Sequence, residues 1–234
     1  TTAAGTAKPA NVLILGIGNL LWADEGFGVR AVEELHRHFS FPDNVRLIDG
    51  GTQGIYLVQH IRESDILIVF DAVDYGLAVG TLKLVEGHEV PKFLGVKKVS
   101  LHQTGFQEVL AMAEMLGDYP QHLLLIGVQP VELDDYGGSL RPKVKAQIAH
   151  AIAAALKYLE PHGVHATRRS APLPEDATIS TPETIMSHYE TGRPAETDAL
   201  RTGDARVLAD GHWQGPEDFE AEIERILTGT AGVQ

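Results

Sequence analysis

Residues 11–28, NVLILGIGNLLWADEGFG, contain the signal that decides the fold class. The stretch begins with an apolar run at residues 11–15, which is typical of a strand buried on both faces of a sheet. It continues into a glycine-rich loop that carries Asp24 and Glu25 and leads to an amphipathic helix. A strand, a loop and a helix in this order predict an α/β fold, in which ligands bind at the carboxyl ends of the strands.

The same alternation of apolar runs and amphipathic stretches continues to about residue 164. Further strands are predicted at residues 45–48, 66–70, 81–85 and 123–128. Helices are predicted at residues 25–39, 54–62, 105–116 and 142–159. Because the run at 81–85 alternates apolar and polar residues, it is predicted to lie at an edge. The pattern predicts one three-layer α/β domain: a twisted, mostly parallel five-stranded sheet with one antiparallel edge strand and helices on both faces.

The composition excludes several classes of protein. The 234 residues include 19 basic and 32 acidic side chains, for a net charge of −13, and no cysteine. A chain without cysteine has no disulfide, thiolate zinc site, iron–sulfur cluster or cysteine nucleophile. The negative charge argues against nucleic acid as a partner, and no apolar run reaches the roughly 20 residues that a membrane span requires. Residues 1–9 contain no apolar leader, so we expect a cytoplasmic protein without membrane insertion.

The composition also divides the chain. We expect a flexible N-terminus at residues 1–10, the α/β domain at 11–164 and an extension at 165–234. The extension is acidic and poor in aliphatic residues, which favours disorder. Residues 216–227 are the exception, because proline and acidic residues there precede an amphipathic pattern that predicts a short helix.

Acidic residues follow three of the predicted strands, and a histidine precedes a predicted helix. Asp24 and Glu25 follow the first strand, Asp49 the second and Asp71 the third, while His102 belongs to a loop that can reach the same edge. Each residue alone has an ordinary explanation, such as a helix cap, a turn or an exposed histidine. Two carboxylates and an imidazole at one edge predict a site for a divalent metal ion with open coordination positions.

A dinucleotide site is the alternative interpretation of the first loop. Gly16 and Gly18 match the start of the G-x-G-x-x-G motif, but Leu21 occupies the third glycine position. Asp24 and Glu25 also place negative charge where a pyrophosphate would bind. A nucleotide-binding oxidoreductase therefore stays only as a rival hypothesis.

Together, these motifs resemble the nickel–iron hydrogenase maturation endopeptidases. The resemblance rests on the string from Gly16 to Arg30, the DGGT block at 49–52, Asp71-Ala72 after the third strand, and His102-Gln103 before a helix. It implies a twisted sheet between helices and a protease that removes the C-terminal extension of the hydrogenase large-subunit precursor after nickel insertion. It also implies that Glu25, Asp71 and His102 bind nickel that the precursor supplies. A non-catalytic nickel-sensing maturation chaperone of the same family is the second rival.

The catalytic group is left open by the sequence. No serine nucleophile elbow and no His-Glu-x-x-His helix is present. Asp24 and Asp49 are candidates for water activation by their position at strand ends. Gly50, Gly51 and Gln103 are predicted to line the cleft for the precursor peptide, although glycines in turns and a glutamine near a helix start explain them equally well. The extension departs from the family pattern: it is disordered, wraps the core, or binds the precursor or another maturation factor.

Overall fold

The computed structural model describes residues 9–91, 101–177, 179–180 and 184–192, without the side chains of residues 101–105. The predicted helix at 216–227 and most of the predicted N-terminal segment 1–10 lie outside the described residues. Within the described part of the chain, no helix has the length and apolar character needed to cross a membrane.

The described residues contain a central five-stranded sheet and a separate two-stranded pair. The strands are β1 (Val12–Ile17), β2 (Phe39–Ser40), β3 (Val45–Gly51), β4 (Ile66–Ala72), β5 (Leu82–Glu86), β6 (His122–Val128) and β7 (Thr167–Arg168). The central sheet has the order β3-β1-β4-β6-β5, and the short strands β2 and β7 form the pair. The first four strands of the central sheet are parallel, and β5 runs antiparallel to β6 at one edge. The predicted fold class is confirmed, including the antiparallel edge strand.

Helices cover both faces of the sheet. They are α1 (Phe27–His38), α2 (Val58–Arg62), α3 (Leu101–Met115), α4 (Pro142–Lys145), α5 (Ile148–Leu159) and α6 (Met186–Gly192). Short 3₁₀ turns at Ala23–Gly26 and Gly54–Leu57 lead into α1 and α2. The apolar sides of α1 and α5 pack on one face of the sheet, and those of α2 and α3 pack on the other. Strands between two such layers are buried on both faces, which explains their continuous apolar runs.

The single helix predicted at 142–159 is wrong in one respect, because the structure has two helices there. Between α4 and α5, the amide of Gln147 bonds to the carbonyl of Val144 at 2.9 Å, three residues back rather than four. This tighter turn interrupts the α-helical hydrogen-bond series. The interruption leaves Val144 and Ile148 buried on the same side of the sheet.

Two glycines of the first motif let α1 begin directly on the sheet. A Cβ on Gly28 would lie 2.2 Å from the carbonyl oxygens of both Ile17 and Phe70, and a Cβ on Gly16 would lie 2.3 Å from the carbonyl oxygen of Gly28. No side chain fits at either position, since real Cβ atoms do not approach backbone so closely. Helix packing therefore accounts for these glycines, and the turn Ala23–Gly26 lies over the carboxyl ends of β1 and β4.

The described part of the extension packs on the α/β domain and belongs to the same compact unit. Strand β7 pairs with β2, and the amide of Leu173 donates to the carbonyl of Arg37 at 2.9 Å. Ile185 is 6% exposed, and Ile179 and Met186 pack against the core cluster that contains α1 and α5. For these residues the expectation of disorder was wrong, because contacts distant in sequence supply the burial that their own composition lacks.

Candidate active site

The candidate site lies at the carboxyl edge of the four parallel strands, where β1, β3, β4 and β6 all end. The amide of Gly18 donates to the carbonyl of Gly51 at 3.1 Å, which joins the loops after β1 and β3. Asp71 is the second-to-last residue of β4, and Asp49 lies near the end of β3. The predicted acidic residues are therefore brought to one edge of the sheet.

Glu25 lies in the buried turn Ala23–Gly26 and is 9% exposed. The turn begins at Ala23, which has a φ of 36° and is the one non-glycine residue with positive φ in the described part of the chain. A left-handed alanine costs free energy, and such strained residues are enriched at functional sites. The surrounding contacts maintain this backbone conformation and with it the position of Glu25.

Asp24 is fully buried and holds the loop after β6. One carboxylate oxygen accepts from the amides of Val131 and Glu132, at 2.8 and 2.9 Å, and the other accepts from the amide of Arg141 at 2.7 Å. Hydrogen bonds from amides to a carboxylate are charge-assisted and strong. Asp24 does not cap its own turn by a side-chain hydrogen bond. These contacts give Asp24 a positioning role and provide no support for water activation.

Asp71 is fully buried on the face of the sheet that α3 covers, because it alternates with Leu67 and Val69, which pack there. Its Oδ1 accepts from the amide of Ala72 at 2.8 Å. Buried carboxylates at a strand end have the donor chemistry that a divalent metal ion requires.

Tyr75 lies beside Asp71, in the loop that follows β4. Its hydroxyl packs over Gly127, which is the register partner of Asp71 on β6; a Cβ on Gly127 would lie 2.4 Å from the hydroxyl oxygen. Burial, together with the charge of Asp71, raises the pKa of Tyr75 well above its usual value. Tyr75 is therefore a neutral hydroxyl next to Asp71, and the isolated glycine in an apolar strand was the sequence signal for its position.

Residue 102 belongs to the first turn of α3, so its predicted place in a loop before the helix is wrong. Its backbone lies at the same edge as the carboxylates. Helix α3 has 15 residues and is followed after a short connection by β6. A helix that leads into a parallel strand runs back along the sheet, so its first turn is at the carboxyl edge. Helix α3 also packs against the turn Gly54–Leu57, which follows the carboxyl end of β3.

The side chains of His102 and Gln103 lie outside the described residues. Among the side chains that the structure does describe, no three from histidine, cysteine, aspartate and glutamate are grouped so that they could hold a metal ion. The donor set predicted for the metal therefore consists of two described carboxylates and one histidine whose backbone position alone is known.

Asp49 is half-buried and contacts the extension. Its Oδ2 accepts from the hydroxyl of Ser180 at 2.8 Å. Burial raises the pKa of Asp49 and the hydrogen bond from Ser180 opposes that shift, while the nearby charge of Glu33 raises it further. Sequence reasoning missed Ser180, because nothing local connects residues 131 positions apart.

The two glycines after Asp49 have structural explanations. A Cβ on Gly50 would lie 2.7 Å from Cδ1 of Ile17, and Gly51 has a φ of 43°, which favours glycine. Contact of Gly50, Gly51 or Gln103 with a peptide substrate stays a prediction.

Gln129 fixes the loop after β4 to the loop after β6. Its Oε1 accepts from the amides of Tyr75 and Leu77, at 2.8 and 3.1 Å, and its Nε2 donates to Asp74 at 3.0 Å. Together with the contacts of Asp24, these bonds connect the loops after β1, β4 and β6 into one hydrogen-bonded frame.

The comparisons with known proteins agree with this fold. A family model for hydrogenase maturation proteases matches residues 29–158. The hydrogenase expression/formation protein HupD of Thiocapsa roseopersicina is 64% identical over 197 residues, which cover 84% of this chain and 89% of that protein. The hydrogenase 2 maturation protease of Escherichia coli is 40% identical over 161 residues, which cover 68% of this chain and 97% of that protein.

A solved structure shows the same architecture. The hydrogenase maturating endopeptidase HybD from Escherichia coli superposes with a TM-score of 0.65 and 38% identity, covering 68% of this chain and 98% of that one. Fold and sequence together define a peptidase of α/β architecture. The chain belongs to the hydrogenase maturation protease family.

The extension distinguishes these relatives. The match to the HupD protein covers 84% of 234 residues, which is more than the length of the α/β domain at 11–164. The structure from Escherichia coli is matched almost completely by 68% of this chain, a length close to that of the α/β domain alone.

Proposed function

We propose that this protein is an endopeptidase that removes the C-terminal extension of a nickel–iron hydrogenase large-subunit precursor after nickel insertion. The observation that carries the proposal is the pair of buried carboxylates, Glu25 and Asp71, at the carboxyl edge of the sheet in a chain of this family. Helix α3 brings residue 102 to the same edge. Nickel belongs to the precursor in this proposal and is part of the substrate.

Glu25, Asp71 and His102 are the residues proposed to recognise the nickel. Carboxylate and imidazole ligands suit a borderline divalent ion, and the absence of cysteine means that no thiolate competes for it. Three protein ligands leave coordination positions open, so the precursor's own ligands can stay attached. Recognition of this kind positions the scissile bond at the edge of the sheet and makes cleavage depend on a completed metal centre.

Water activation by Asp24 or Asp49 stays a prediction. The side chain of Asp49 lies on the face of the sheet that α1 covers, opposite to Asp71, because Asp49 is in register with Gly16 and Phe70. Both carboxylate oxygens of Asp24 accept hydrogen bonds from backbone amides. Tyr75 stays protonated and can donate a hydrogen bond beside Asp71.

The proposal is tested with purified nickel-loaded and nickel-free precursor. The protein is incubated with each form, and the mass of the precursor's C-terminus is measured over time. We expect cleavage of the loaded form only. Binding of the loaded form without cleavage would instead identify the nickel-sensing chaperone, and equal cleavage of both forms would contradict nickel recognition. A cytoplasmic location and contacts with other maturation factors stay predictions.

A further inference from the structure

In the described part of the chain, most of the large apolar side chains that are exposed lie in the loops at the carboxyl edge of the sheet. We call this set the apolar rim: Leu21, Ile55, Tyr56, Leu77, Val79, Val131 and Tyr136, with exposed fractions from 41% to 79%. The other exposed residues of this kind in the described part of the chain are Leu84, Met115 and Leu116. Exposed apolar side chains are ordinary when scattered, so the informative fact is that most of them share one edge.

Hydrogen bonds and ring packing make part of the apolar rim continuous across the loops after β1 and β6. The amide of Gly137 donates to the carbonyl of Leu21 at 2.7 Å, and the rings of Trp22 and Tyr136 pack edge to face at 5.2 Å. Val131 is held by the carboxylate of Asp24. These rim residues therefore stand on a fixed backbone.

The remaining rim residues extend this surface along the edge on both sides. The amide of Leu77 donates to Oε1 of Gln129, which lies two residues before Val131 in the chain. Ile55 and Tyr56 follow β3, whose end is joined to the loop after β1 at Gly18. The order of the parallel strands, β3-β1-β4-β6, places all these loops side by side.

The chemistry of this edge indicates what it binds. The loops that carry the apolar rim also carry Glu25 and Glu132, and the strands β3 and β4 that end at this edge carry Asp49 and Asp71. A complementary partner has an apolar surface next to a cationic centre. Protein interfaces are enriched in tyrosine and other large side chains for this reason: they bury much apolar area and still tolerate water at the margin.

We propose that the apolar rim is the docking surface for the folded body of the large-subunit precursor. This inference rests on the proposed function and adds the contact that selects the precursor. The rim binds an apolar surface around the precursor's metal centre, so that recognition involves the folded protein and extends beyond its C-terminal segment. Rim substitutions consequently weaken binding and leave the chemical step intact.

The chain offers a matched control for the test. Tyr56 and Met115 are 79% and 78% exposed, and Val131 and Leu116 are 45% and 48% exposed. The rim variant is Tyr56→Ser with Val131→Ser, and the control variant is Met115→Ser with Leu116→Ser. Both variants remove similar exposed apolar groups, so a general effect of surface polarity appears in both, and thermal unfolding confirms that both fold.

Processing of nickel-loaded precursor is measured for the wild-type protein and both variants as separate KM and kcat values. We expect the rim variant to raise KM by about tenfold or more with kcat within twofold of the wild type, and the control variant to match the wild type. Equal KM values for the two variants would overturn the docking surface. If the wild-type protein binds the loaded precursor without cutting it, the proposed function fails. The rim is then judged by direct binding of the same three proteins, with a tenfold loss expected for the rim variant alone.

Discussion

The α/β domain and the extension are ordered by different interactions. The domain has two apolar clusters, one on each face of a central sheet, and its strands β1, β4 and β6 are almost completely buried. The described part of the extension has a two-residue strand, the buried side chain of Ile185 and a set of polar anchors. The domain therefore supplies its own core, while the extension depends on the surface that the domain offers.

The polar anchors of the extension reach elements near the candidate site. Ser180 donates to Asp49, and Glu190 accepts from Lys145 at 2.7 Å and from Ser139 at 3.0 Å. The extension thus holds the end of β3 and the segment after β6. A protein from Escherichia coli that is matched by 68% of this chain has the same architecture. In this chain the extension also contacts the edge of the sheet at which the candidate site lies.

The largest effect is expected on activity, at the site that the domain alone provides. Glu25→Gln, Asp71→Asn or His102→Leu should each reduce processing of nickel-loaded precursor by roughly 100-fold or more, because even partners of metal ligands cost 10–100-fold when removed. The fold should persist, as judged by circular dichroism and thermal unfolding. Normal cleavage rates for any two of these variants would show that the site is elsewhere, in the domain or in the extension.

The same substitution in the two regions gives the sharpest contrast in stability. Ile14 is fully buried in β1 and Ile185 is 6% exposed in the extension. Ile14→Ala should lower the free energy of unfolding by about 2–5 kcal/mol, because it leaves a cavity in the core. Ile185→Ala should cost about 1 kcal/mol or less, because the extension can detach locally without unfolding the domain.

Urea unfolding measures both values, and hydrogen exchange separates the mechanisms. In Ile185→Ala the amides of Arg169 and Leu173 should exchange faster while those of β1 and β4 keep their protection. Equal losses of free energy for the two variants would mean that domain and extension unfold as one unit.

Much of the fold was predictable from local patterns. Strands buried on both faces read as apolar runs, and the exposed face of β5 reads as alternation, so the sheet and its antiparallel edge follow directly. The break between α4 and α5 was not predictable, because Ala146 and Gln147 are good helix formers and only the turn geometry interrupts them. The pairing of β2 with β7 joins short segments far apart in sequence, which periodicity cannot detect.

The candidate site was predictable in its residue types and less so in their roles. Asp24 and Glu25 are adjacent and chemically similar, and tertiary contacts alone show that Asp24 holds three amides of the loop after β6. Ser180 contacts Asp49 across 131 positions of the chain, and the hydroxyl of Tyr75 is placed beside Asp71 by its packing over Gly127 on the neighbouring strand. The sequence pattern locates the acidic residues at the ends of strands. Only the tertiary contacts show which of these carboxylates already bonds to other groups of the same chain.

A smaller effect is expected at Asp24, whose carboxylate holds three backbone amides of the segment after β6. Asp24→Asn should lower the free energy of unfolding by about 2 kcal/mol, since the amide group places an N–H against a backbone donor and the charge-assisted bonds are lost. The matched control is Asp43→Asn, an exposed aspartate, which should change the free energy by less than about 0.5 kcal/mol. Urea unfolding measures the free energy for both variants. Similar losses would contradict a stabilising role for the hydrogen bonds of Asp24.

The smallest effect is expected at the bond between the extension and Asp49, and it should depend on pH. Burial raises the folded-state pKa of Asp49 above its ordinary 3.8, so the folded protein binds more protons than the unfolded chain between 3.8 and the raised value. Stability from this group therefore falls as pH rises through that window. The hydroxyl of Ser180 offsets part of the loss, because its hydrogen bond favours the charged carboxylate.

Ser180→Ala should therefore lower the free energy of unfolding by about 1 kcal/mol or less near pH 7, since Asp49 is partly exposed and solvent screens the bond. The cost should shrink as the pH falls below the pKa of Asp49. In an Asp49→Asn background the same substitution should have a cost that does not vary with pH, and the double-mutant cycle isolates the coupling. Urea unfolding between about pH 4 and pH 7 measures all four proteins. A cost of Ser180→Ala that is constant with pH in the wild-type background would show that the extension braces this edge without sensing the charge of Asp49.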